Sequence, residues 1–121
     1  MIKLAIATDD GEVVSEKPFT VAKRFKVYEI NEAKATVTLI DDRENALNVQ
    51  EAESEVEYCR QLLEKVLNDI NVIIGSSATH AGYRFFMLNG VQVLFVDPNT
   101  PINAIVEYIR RALKEASSQE M

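Results

Sequence analysis

The spacing of apolar residues changes along the chain from short β-like runs to helical stripes. Ile2 to Thr8 is a brief apolar run that ends on the turn signal Asp9-Asp10-Gly11. Phe25 to Ile30 alternates, with Phe25, Val27 and Glu29 on one side and Lys26, Tyr28 and Ile30 on the other. The polar stretch Asn31-Glu32-Ala33-Lys34 turns the chain, and the β-rich segment Thr36 to Ile40 returns as the second arm of a hairpin. Further on the period lengthens. Ala52, Val56, Cys59, Leu63, Val66 and Ile70 lie at helical spacing, which predicts a helix with one apolar face. Val72-Ile73-Ile74 reads as a short buried strand stopped by Gly75. A helix is expected over Ala81 to Leu88, closed by Asn89-Gly90, with Val91 to Val96 as the next strand. Thr100 is placed as N-cap and Pro101 as first residue of a last helix, whose apolar face is Ile102, Ile105, Val106, Ile109 and Leu113.

The resulting order is β-β-β-α-β-α-β-α. Strands joined by helices are parallel neighbours connected by right-handed crossovers. The first strand then lies beside them and the hairpin extends the other edge. This predicts an α/β fold: a mixed five-stranded sheet with helices on its faces, in a ribonuclease-H-like arrangement. Residues 1–116 form one domain in this reading, and 117–121 a short flexible tail.

Composition narrows the class. A chain of 121 residues with 47% hydrophobic and 26% charged residues folds around a core of its own. The single cysteine, Cys59, cannot form an internal disulfide, which points to a reducing compartment. The apolar N-terminal run is too short for a signal peptide, and no run approaches the roughly 20 residues of a membrane span, so a cytoplasmic protein is expected. A net charge of -6 argues against a nucleic-acid partner. Lys17, Lys23, Arg24 and Lys26 interrupt that acidity and can either meet an anion or simply face water.

Ligands in open α/β sheets collect at the carboxyl ends of the parallel strands. Those ends are Thr8-Asp9-Asp10, Gly75 to His80, and Asp97-Pro98-Asn99-Thr100. The middle loop precedes a helix, whose free N–H groups favour anions, and Ser76, Ser77 and Thr79 can add hydroxyl contacts. The same residues also suit an ordinary capped turn. His80, the only histidine, is a candidate metal ligand but has no second donor near it in sequence. Asp9, Asp10 and Asp97 can hold Mg²⁺ for phosphotransfer or nuclease chemistry, or can serve only as turn residues. Cys59 falls in the helical stripe, as core packing would place it. The sequence has no nucleophile elbow, HExxH, CxxC or Walker loop, and the protein is expected not to be an enzyme.

Ile2-Lys3-Leu4-Ala5-Ile6-Ala7-Thr8-Asp9-Asp10-Gly11, Val14-Ser15-Glu16, Phe19 to Phe25 and Tyr28-Glu29-Ile30 resemble the opening blocks of the dinitrogenase iron–molybdenum cofactor biosynthesis family. Val72-Ile73-Ile74-Gly75, Asn89-Gly90-Val91-Gln92-Val93 and the last helix resemble its later half. The resemblance implies a ribonuclease-H-like fold and a role as a cofactor carrier or nitrogenase accessory. Family members often carry Ser-x-His-Phe-Gly-Arg-Ala in the first loop. Here the stretch reads Ser15-Glu16-Lys17-Pro18-Phe19-Thr20-Val21-Ala22, with proline where the histidine would stand. Asn45 to Ala52 also lacks the His and Cys residues that many members carry before the first helix.

The leading expectation is a non-catalytic member of that family. It would bind an iron–sulfur or iron–molybdenum cofactor, or an anion, through Ser76, Ser77, Thr79 and His80, with Asp9 and Asp10 across the cleft. The alternative is an interaction module that kept the fold and lost the ligands, pairing with itself or with cofactor-assembly or redox proteins.

Overall fold

The computed structural model describes residues 1–119. Strands β1 (Ile2–Thr8), β2 (Arg24–Asn31), β3 (Thr36–Glu44), β4 (Val72–Gly75) and β5 (Gln92–Phe95) form one sheet in the order β3-β2-β1-β4-β5. β1 is antiparallel to β2 and parallel to β4, and β4 is parallel to β5. Helices α1 (Glu55–Lys65), α2 (His80–Leu88) and α3 (Ile102–Gln119) cover the faces. This is the mixed α/β sheet that the sequence predicts.

Alternation along the strands sorts the core into two halves. Ala5, Ala7, Phe25, Val27, Ile73 and Val93 face one side, where they meet Tyr58, Cys59 and Leu62 of α1 and Phe86 of α2. Leu4, Ile6, Tyr28, Ile30 and Ile74 face the other, where Ile102, Ile105 and Val106 of α3 cover them. Burying a large apolar side chain stabilises the fold by roughly 1.5–3 kcal/mol, so these two layers carry most of the driving force.

Several boundaries differ from the sequence reading. α1 starts at Glu55 because Ser54 caps it, accepting a hydrogen bond from the Glu57 N–H at 3.1 Å. Ala52 therefore precedes the helix, and Val56 points to solvent at 56% exposure. The buried face is Tyr58, Cys59 and Leu62, continued past the helix by Leu67. β3 runs on to Glu44 rather than stopping at Ile40, with an irregularity opposite Val27 and Tyr28. Pro101 bridges to Val13, and α3 begins at Ile102. The Thr100 hydroxyl donates to the Asp97 carbonyl at 2.6 Å instead of capping the helix. α3 continues through Ser117 and Ser118 to Gln119, where a flexible tail was expected; Glu120 and Met121 lie outside the described residues. Among the described residues no helix is long and apolar enough to cross a membrane.

Candidate functional site

The carboxyl ends of β1, β4 and β5 meet as expected, but the chain itself fills most of the space between them. The segment from Val13 to Phe19 runs across all three. Val14 bridges Thr8, and the Ser15 N–H donates to the Ala7 carbonyl at 3.0 Å, which ties the segment to β1. The Val14 N–H donates to the Thr100 carbonyl, and its own carbonyl accepts from Asn99, both at 2.9 Å, which ties it to the loop after β5. The Ser76 hydroxyl donates to the Ser15 carbonyl at 2.6 Å, and the Phe19 N–H to the Ser77 carbonyl at 3.0 Å, which ties it to the loop after β4.

Phe19 anchors this strap. It is fully buried and meets Phe86 of α2 edge-to-face, ring centroids 5.4 Å apart. Gly75 makes room for it, since a Cβ there would lie 2.8 Å from the Phe19 Cβ. The next turn is held by the Tyr58 hydroxyl, which donates to the Thr20 carbonyl at 2.6 Å, and by Asn45, which donates to the Ala22 carbonyl at 3.0 Å. Nothing in the sequence marks this Asn45–Tyr58 clamp, because its partners are distant backbone carbonyls.

The candidate residues take separate places around the strap. The Asp9 carboxylate accepts from the Ser15 hydroxyl at 2.9 Å and the Lys23 N–H at 3.0 Å, with Lys17 Nζ at 3.8 Å. Asp10 folds its own turn: its carboxylate accepts from the N–H groups of Glu12 and Val13, and these bonds hold its carboxyl below the ordinary value. Thr79 caps α2 by accepting from the Gly82 N–H at 3.1 Å, while its hydroxyl donates to Glu55. His80 is exposed in the first turn of α2, and Asp97 is exposed after β5. The basic cluster divides, with Lys17 turned to Asp9 and Arg24 paired to Asp42 at 2.9 Å.

Asp9, Asp10, Ser15, Glu16, Lys17 and Asn99 line a cleft of about 180 Å³. Ligand pockets commonly measure roughly 300–1,000 Å³, so this one suits a few waters or a small ion. Asn99 reaches its place through a left-handed backbone, φ 65°, and donates to Glu16 at 2.8 Å. Ser76 touches the cleft wall through Ser15, whereas His80 and Asp97 do not line it.

The family model for the dinitrogenase iron-molybdenum cofactor matches residues 1–111. The chain belongs to this family. No curated protein matches it. A crystal structure described as that of PH0822 is similar in fold, with a TM-score of 0.64 at 14% identity, covering 94% of this chain and 92% of the other.

The donor set of this family member fits a metal cluster poorly. Iron–sulfur and related clusters are held by thiolates, imidazoles or carboxylates gathered in one place. Among the described residues no three His, Cys, Asp or Glu side chains come together for a metal ion. Asp9, Asp10 and Asp97 therefore do not form the magnesium site that the phosphotransfer alternative requires. Cys59 is buried on the inner face of α1, and burial with the nearby Glu55 charge pushes its thiol up to about 11, leaving it protonated at neutral pH.

Proposed function

We propose that this chain is a non-catalytic binding domain of the family that works through contacts with protein surfaces, in cofactor assembly or an associated redox system. The strap from Val13 to Phe19 carries this reading, because it crosses the crevice where an α/β domain would otherwise seat a ligand and leaves there a cleft of only about 180 Å³. The hydroxyls of Ser15, Ser76 and Thr79 are spent on Asp9, the Ser15 carbonyl and Glu55. The chemistry of the donors supports the same reading. Among the described residues His80 belongs to no group of three or more His, Cys, Asp or Glu side chains placed to hold a metal ion.

A second reading rests on His80 alone. Its imidazole is exposed at the carboxyl end of the sheet and can give one ligand to a preformed cluster that brings the rest. Protein purified without oxygen and incubated with an iron–sulfur or iron–molybdenum cofactor separates the two. Metal and sulfide analysis with an absorption spectrum after gel filtration is expected to find a colourless protein with far less than stoichiometric metal. Stoichiometric uptake that falls in His80→Ala would overturn the binding-domain reading in favour of a cofactor carrier.

A further inference from the structure

The two edges of the sheet are built differently. β3 ends in Asp41-Asp42-Arg43-Glu44 and is bulged against β2, both of which discourage another strand from pairing. β5, Gln92-Val93-Leu94-Phe95, has no charge, proline or bulge. Its Gln92 and Val96 N–H groups bond to the carbonyls of Asn71 and Gly75 beside it, at 3.0 and 2.9 Å. By the alternation of a parallel ladder, the N–H and C=O groups of Val93 and Phe95 point away from the sheet.

Apolar surface flanks this edge on both faces. On the α3 side Leu94 is 44% exposed beside Tyr108 at 69%, across a groove of about 480 Å³ floored by Ile74 and Ile105. On the α2 side Phe95, 49% exposed, packs on Tyr83 with ring centroids 5.8 Å apart, and Met87 lies beyond at 50%. None of these side chains is charged, on a chain whose net charge is -6. A surface that carries little charge lets two copies of an acidic protein meet without strong like-charge repulsion.

We propose that β5 pairs with β5 of a second copy, antiparallel, to make a continuous sheet across a two-fold axis at Leu94. The inference rests on the binding-domain reading and names one partner for it. The register follows from the strand itself. Val93 of one copy faces Phe95 of the other, each such pair exchanges two backbone bonds, and the two Leu94 side chains meet at the axis. Every outward group of Val93 and Phe95 is then satisfied. The exposed parts of Tyr83, Met87, Leu94, Phe95 and Tyr108 amount to roughly 500 Å² per copy, so at most about 1,000 Å² of these side chains is available to cover in all, the lower limit for a specific interface. An interface at that limit makes a pair that comes apart on dilution.

Sedimentation or light scattering over a concentration series tests this directly. The mass is expected to rise from one chain at about 1 µM to two chains at about 500 µM. Leu94→Lys sets two ammonium groups against each other at the axis and is expected to hold the protein at one chain throughout. Tyr108→Lys, at an exposed helical position where folding is not at stake, is expected to weaken pairing about tenfold. Leu39→Lys on the β3 edge is expected to pair like wild type. A wild-type protein that stays a single chain at about 500 µM would overturn the proposal. So would a dimer that survives Leu94→Lys and Tyr108→Lys but is lost in Leu39→Lys. Either result leaves the cofactor-uptake experiment unaffected, so failure of the pairing and failure of the binding-domain reading are distinguishable.

Discussion

The carboxyl end of the sheet and its β5 edge present opposite kinds of surface. At the carboxyl end the backbone and side-chain polar groups of the 13–19 strap are bonded to β1 and to the loops after β4 and β5. At the β5 edge, backbone groups point outward between exposed apolar side chains. The usual ligand position of an α/β sheet is thus crossed by the chain itself and narrowed to a small cleft, and the exposed apolar surface lies along the sheet edge instead. Covering apolar side chains that face water gains free energy, while polar groups that already have partners within the chain gain little from a ligand, and this contrast is the ground for the proposed protein contact.

The largest way to break the contrast is Phe19→Ala. Removing a fully buried ring leaves a cavity between Gly75 and Phe86, and the expected loss is about 3–5 kcal/mol by denaturant unfolding, with the strap loosened before the rest. If the loss were well under ~1 kcal/mol, the strap would not be anchored as described.

A smaller effect concerns the support behind the sheet. Asp69 accepts from Arg43 at 2.7 and 2.9 Å and from Lys3 at 3.2 Å, and Arg43 also donates to the Val66 carbonyl at 2.7 Å. The Arg43 hydrogen bonds hold the Asp69 carboxyl well below the usual carboxylate range. Its folded value lies below its unfolded one, so the stabilisation is complete above about pH 4 and is lost as pH falls through the folded value. Asp69→Asn is expected to lower stability by about 1–2 kcal/mol at neutral pH and to flatten the acid limb of a stability–pH curve. An unchanged acid limb would contradict this.

The smallest is Thr79→Ala, which removes the cap of α2 and the Glu55 contact, for about 1 kcal/mol in thermal or denaturant unfolding. Because Thr79 is assigned to the fold and not to a ligand, the same variant should leave any uptake of cofactor unchanged.

The strands and helices that face the core were legible in the sequence, since burial on both faces makes β1 and β4 short continuous apolar runs and burial on one face gives α3 a helical period. The far half of β3 was not, because both sides of Asp41 to Glu44 meet solvent or ion pairs and no alternation survives. The α1 stripe misassigned Val56 because apolar spacing alone does not fix the phase of a helix. The Ser54 cap with Glu57 three residues on was the signal that sets the start of the helix and leaves Ala52 outside it. At the candidate site, turn chemistry at Asp10 and capping at Thr79 were readable locally. The strap was not, since Ser76 to Ser15 and Phe19 to Ser77 join residues about sixty apart through backbone carbonyls. The contrast between β3 and β5 could be suspected from charge alone, but only the strand order makes both of them edges.

Amide hydrogen exchange at two protein concentrations tests the central contrast most directly. The N–H groups of Val14, Ser15 and Phe19 are predicted to exchange slowly at both, and those of Val93 and Phe95 to exchange fast when dilute and slowly when concentrated. Fast exchange along the strap, or Val93 and Phe95 protection that does not depend on concentration, would contradict the account.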